Sequence, residues 1–135
     1  MIVVDASTIV CAALTGGGIP DRAVLHVIER DALALSSAVD AEIAEVLARP
    51  KFSRQLPPAR RERIMTLLRK RAVWFEPTIK VHDCRDPDDN KYLELALTSG
   101  AEIIITSDSD LLALRPWHGA LILTPAHFLE LVKRP

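Results

Sequence analysis

Short β-branched runs alternate along this chain with stretches in which apolar residues recur every three or four positions. Ile2 to Asp5 is a nearly continuous apolar run that starts almost at the N-terminus and ends in a carboxylate, the pattern of a strand buried on both faces. A helix is predicted from about Ser7. Gly16-Gly17-Gly18 with Pro20 breaks the chain, and Asp21 to Arg30 then carries Ala23, Val24, Val27 and Ile28 on one helical stripe. Ala32 to Ser36 reads as a second strand. Ser37 or Asp40 is placed to cap a helix running through Ile43, Val46 and Leu47 to Arg49, and Pro50 ends it.

Pro57-Pro58 suits the first turn of a further helix, whose stripe Ile64, Leu67 and Leu68 leads into the strand-like Val73-Trp74-Phe75. Asp86 to Asp89 reads as an acidic, proline-containing loop. Tyr92, Leu93, Leu95, Ala96 and Leu97 mark a helix closed by Gly100, and Glu102 to Thr106 is the clearest inner strand. A helical turn at Leu111 to Leu114, a strand at Leu121 to Leu123 and a helix from Pro125 to Val132 complete the pattern. Strands alternating with helices imply an α/β layered fold with a mainly parallel sheet, because each parallel connection needs a crossover.

The length of 135 residues, 49% of them hydrophobic, predicts a single domain over 1–135 with an aliphatic core. No apolar run approaches a membrane span, and Asp5 interrupts the first one before a signal peptide could form, so a cytoplasmic protein is expected. Cys11 and Cys84 are the only cysteines and lack metal-ligand spacing. The net charge of -1 excludes a globally basic nucleic-acid binder, but a sum conceals local patches.

In parallel sheets the functional crevice lies beyond the C-terminal ends of the strands. Asp5 ends the first strand, and Asp108 with Asp110 follows Glu102 to Thr106, which puts these acids at one edge. Asp86, Asp88 and Asp89 precede a helix there; Glu42 lies near the start of another, with Glu45 one turn further along the same face. Clustered carboxylates repel one another unless a cation neutralises them, and oxygen-only donors favour Mg2+ or Mn2+ over zinc. Each acid also has a plain structural reading: Asp86, Asp89 and Asp110 as helix caps, Glu45 as a solvated surface charge.

From Arg49 to Arg71 the chain holds nine of its 17 basic residues against one acid, Glu62. Arg49, Lys51, Arg54, Arg60, Arg61 and Arg63 are its leading candidates for phosphate contacts to a polyanion. An acidic metal site beside a cationic surface is what a nuclease requires.

Taken together and in this order, the segments Val4-Asp5-Ala6-Ser7, Glu42-Ile43-Ala44-Glu45-Val46-Leu47-Ala48-Arg49-Pro50-Lys51-Phe52, Arg85-Asp86-Pro87-Asp88-Asp89-Asn90-Lys91, Ile105-Thr106-Ser107-Asp108-Ser109-Asp110 and Leu123-Thr124-Pro125-Ala126 resemble the PIN domains. The likeness is greatest to the VapC-like toxin components of prokaryotic toxin-antitoxin systems. The resemblance implies a doubly wound α/β three-layer sandwich that cleaves single-stranded RNA with Mg2+ or Mn2+. It also selects Asp5, Glu42, Asp89 and Asp108 as the metal-binding acids, Asp110 as a further catalytic acid, Glu45 and Asp86 as recurrent neighbours, and Ser7 and Thr106 as supporting polar positions. A small antitoxin protein and a homodimer follow as expected partners. Two rivals are a PIN-like domain that holds RNA without cutting it and a phosphotransfer domain; the latter would want paired acids after the first strand, where only Asp5 stands.

Overall fold

The computed structural model describes residues 1–133 and contains five short strands, all paired in parallel. β1 (Ile2–Val4), β4 (Ile103–Ile105) and β5 (Leu121–Leu123) form one ladder, with Val4 opposite Ile105 and Ile105 opposite Leu123. β2 (Ala34–Leu35) and β3 (Val73–Trp74) form a second. A bridge between Ile2 and Leu33, with the Ile2 amide donating to the Ala32 carbonyl at 2.8 Å, joins the two into the order β3-β2-β1-β4-β5. The chain therefore winds outward one way from β1, returns, and winds outward the other way through β4. This reversal is the topological switch of a doubly wound sheet, and it falls between the C-terminal ends of β1 and β4.

Burial explains the composition of these strands. Ile2, Val3 and Val4 are all buried, although successive side chains point to opposite faces, so helices cover the sheet on both sides. α5 (Asn90–Ser99) packs on β1, β2 and β4. α1 (Ala6–Leu14) lies against α2 (Ile19–Arg30) and α3 (Ser37–Leu47), and α7 (Pro125–Lys133) closes on α2 and β5. α4 (Pro58–Arg71) begins at the predicted proline pair, and α5 ends on Gly100, whose φ of 70° is the left-handed cap geometry that glycine adopts without a Cβ penalty.

Several expected boundaries move. α3 stops at Leu47, and Pro50–Phe52 forms a separate 3-10 turn; Pro87–Asp89 is a 3-10 turn where a loop was expected, and α6 covers Ser109–Leu112. The cap of α3 is neither Ser37 nor Asp40 but the buried Ser36, whose hydroxyl oxygen accepts from the Val39 amide at 3.2 Å. Ser37 instead donates to Glu76, lowering the Glu76 carboxyl below its usual range, and Asp40 is held by Arg69 at 2.9 Å. Among the described residues no helix is long and apolar enough to cross a membrane.

Ser36→Ala should cost about 1 kcal/mol in the urea midpoint, the usual size of a lost N-cap, and more than Asp40→Asn, which removes only a partly exposed ion pair. A larger loss from Asp40→Asn would return the capping role to that residue.

Candidate functional site

Each acid singled out in the sequence stands at the end of an element whose direction the sheet fixes. Asp5 follows β1 and caps α1, its Oδ1 accepting from the Thr8 amide at 2.9 Å. Its other oxygen accepts from the Thr106 hydroxyl at 2.5 Å, and Thr106 follows β4, the neighbouring strand. The Thr106 hydroxyl also accepts from the Asp108 amide at 2.9 Å, so one side chain spaces the two acids. Asp108 caps α6 by accepting from the Asp110 amide at 2.7 Å; the cap is thus Asp108, not Asp110. Glu42 projects from α3, and Asp89 sits immediately before α5.

These four meet in one cleft of about 320 Å³, lined by Asp5, Glu42, Asp89 and Asp108 together with Ser7, Arg49, Lys51 and Tyr92. Glu42 is gripped from both sides: Lys91 Nζ donates to Oε2 at 2.9 Å and the Tyr92 hydroxyl donates to Oε1. Tyr92 in turn accepts from the Ala6 amide at 3.1 Å, tying α5 to the start of α1. Lys91 and Tyr92 are the site residues that periodicity concealed, since Tyr92 fits the apolar stripe of its helix. The available signal was its hydroxyl, which needs a partner when the ring is buried.

Burial leads the electrostatics, and like charge adds to it. Burial raises the Asp5 carboxyl above its ordinary range; the bonds from Thr106 and Thr8 oppose this, and the charge of Asp108 adds to it. Asp89 is pushed up to about 7 by burial first, then by hydrogen bonding with Asp108 and by the charges of Asp108, Asp86 and Glu42. Asp89 Oδ2 is buried with no donor facing it. Among the described residues no three His, Cys, Asp or Glu side chains stand as a ready-made ligand set. The donor chemistry nevertheless fits a hard divalent ion: oxygen atoms alone, several negative charges, and one buried oxygen without a donor.

The remaining candidates separate. Asp86 is exposed and caps the Pro87–Asp89 turn, its Oδ1 accepting from the Asp88 amide at 3.0 Å. Glu45 is exposed and paired with Arg49 at 3.1 Å. Of the basic run, Arg49 and Lys51 reach the cleft; Arg54, Arg60, Arg61 and Arg63 do not line it. Arg60 donates to the carbonyls of Ala13 and Gln55, closing the end of α1.

The raised Asp89 carboxyl, whose first cause is burial, has a defined pH signature. Its folded pKa lies above its unfolded value, so the folded state binds more protons between about pH 4 and 7, and stability falls as pH rises through that window. In metal-free buffer Asp89→Asn should remove this slope and gain about 1 to 2 kcal/mol at pH 8, once solvent screening of this partly exposed group is allowed for. Urea midpoints against pH measure it; a variant as steep as wild type would remove Asp89 as the strained acid.

Residues 1–110 match the sequence model of the PIN domain. The uncharacterized protein MJ1680 of Methanocaldococcus jannaschii is 30% identical over 139 residues, covering 96% of this chain and 89% of that protein. The fold is similar to that of PAE2754 from Pyrobaculum aerophilum, with a TM-score of 0.66 at 20% identity over 98% of this chain and 90% of the other. It is also similar to VapBC2 from Rickettsia felis, solved bound to a DNA fragment from their promoter, with a TM-score of 0.58 at 12% identity over 90% and 97% of the two chains. The parallel switch-point sheet and the sequence match agree: the chain belongs to the PIN domain family, whose members are generally nucleases that use divalent metal ions.

Proposed function

We propose that this protein is an Mg2+/Mn2+-dependent endoribonuclease that hydrolyses phosphodiester bonds of single-stranded RNA in the cytoplasm, as the toxin of a toxin-antitoxin pair. The observation that carries this reading is the meeting of Asp5, Glu42, Asp89 and Asp108 in one cleft, with a buried Asp89 oxygen left without a donor. These four residues would hold the ion. When bound, it supplies a Lewis acid that acidifies water and offsets charge developing on the scissile phosphate.

The chain's own groups do the rest. Thr8 and Thr106 fix both oxygens of Asp5, so that acid is oriented before substrate arrives, while Lys91 and Tyr92 hold Glu42 until an ion draws it away from Lys91. Glu42, which lines the cleft, or Asp110, whose amide donates to Asp108 although its side chain does not line the cleft, would accept the proton of an attacking water. Arg49 and Lys51, at the mouth of the cleft, neutralise backbone phosphates and hold the strand in register. The toxin assignment rests on the sequence resemblance and on the likeness of fold to VapBC2, and it brings with it a small antitoxin protein as partner.

Asp5→Asn and Asp108→Asn should each lower Mn2+-dependent cleavage of single-stranded RNA at least about a hundredfold while leaving the circular dichroism spectrum unchanged. EDTA should do the same to wild type. Unchanged cleavage in both variants would sink the proposal, and RNA binding without cleavage at any metal concentration would favour a domain that only holds RNA. Arg49→Ala and Lys51→Ala should raise KM with kcat nearly constant and shallow the salt dependence of binding by about one unit per lost cation. A fall in kcat alone would assign them instead to the chemical step.

A further inference from the structure

The cleft continues past its acids into an apolar half for which hydrolysis supplies no task. Val10 and Leu14 of α1, Val46 of α3 and Phe52 of the Pro50–Phe52 turn line it, with Arg49 and Lys51 beside them. Val10 belongs to the core, and Leu14, Val46 and Phe52 pack against it while keeping part of their surface open. On the same helix Ile43 and Leu47 are completely buried, whereas Leu14, Val46 and Phe52 remain partly exposed on the cleft wall. The ring of Phe52 is carried on fixed backbone: its amide donates to the Arg49 carbonyl at 2.9 Å, and its carbonyl accepts from the Leu56 amide at 2.7 Å. Lys51 Nζ lies 5.0 Å from the ring centroid, so a cation already associates with the aromatic face.

Acids, two cations and an aromatic side chain lining one cleft match the parts of a nucleotide: scissile phosphate, adjoining phosphate and base. The volume of about 320 Å³ suits one such unit. We propose that this apolar half is a base subsite, in which Phe52 stacks on the base next to the cleaved phosphate while Lys51 and Arg49 neutralise the adjoining phosphate. The inference rests on the nuclease reading and deepens it. Val10, Leu14 and Val46 offer no hydrogen-bonding pattern, so the subsite takes any base, but only one free to leave a helical stack. Single-strand selectivity then has a structural source in this chain.

Binding of a short single-stranded oligoribonucleotide is compared with that of its fully abasic counterpart, by fluorescence anisotropy in Ca2+ and again in EDTA. Wild type should favour the base-containing strand on the order of tenfold. Phe52→Ala, and Phe52→Leu as the variant that preserves apolar packing, should erase that preference while leaving abasic affinity unchanged; Phe52→Trp should keep it. Lys51→Ala should weaken both strands alike. Cys11 is exposed and lines the same cleft, whereas Cys84 is buried, so alkylation of Cys11 should slow when the base-containing strand binds and slow less with the abasic strand. Equal affinity of wild type for the two strands, or a preference that survives both Phe52→Ala and Phe52→Leu, overturns the subsite. Phe52-dependent binding without cleavage in Mn2+ would instead uphold the subsite and overturn the hydrolase.

Discussion

The parallel pairing of β1 with β4 is the constraint on which the site depends. It sets Val4 opposite Ile105, so the chain leaves the sheet at adjacent points as Asp5 and as Thr106-Ser107-Asp108. The Asp5 amide completes the ladder by donating to the Ile105 carbonyl at 3.1 Å, and the Thr106 hydroxyl then bridges the two acids. A slip of one residue would turn Asp5 to the other face of the sheet and separate them. Glu42 and Asp89 are brought to the same edge by α3 and α5, whose starts follow from the same winding. The fold therefore concentrates negative charge where its strand order reverses; burial there raises the carboxyls of Asp5 and Asp89, and the neighbouring acids add to it.

Much of this was legible in the chain. β1, β4 and β5 are aliphatic runs with no competing helical period, and their alternation with helices required parallel crossovers; the structure has both. Asp5 and Asp108 could be placed together because strand ends are positions a sequence reveals. Side-chain grip could not be read in the same way. Nothing in the spacing of Glu42 and Lys91, 49 residues apart, reveals the ion pair between them, and Tyr92 counts as an apolar helix residue until its hydroxyl is seen at Glu42. The α3 cap was missed for a related reason: Ser36, Ser37 and Asp40 are all competent, and the choice depends on which neighbours, Glu76 and Arg69, occupy the others.

The basic run from Arg49 to Arg71 shows the limit of reading charge along a chain. Its composition suggests one cationic surface, but it spans a 3-10 turn and a full helix, so its side chains point several ways. Arg60 is spent on the end of α1, Arg69 on Asp40 and Arg49 on Glu45, and of this run Arg49 and Lys51 line the acidic cleft. A helix distributes a lopsided composition around its axis, so neighbours in sequence need not share a ligand.

The account turns on whether these carboxylates hold a cation together. The direct measurement is a crystal structure grown with Mn2+ and read by anomalous scattering. The account predicts a peak between Asp5, Asp89 and Asp108, with Glu42 turned from Lys91 toward the ion. A Mn2+ peak elsewhere on the protein, or a saturating Mn2+ soak that leaves the Lys91–Glu42 pair and an empty acidic cleft, would contradict it.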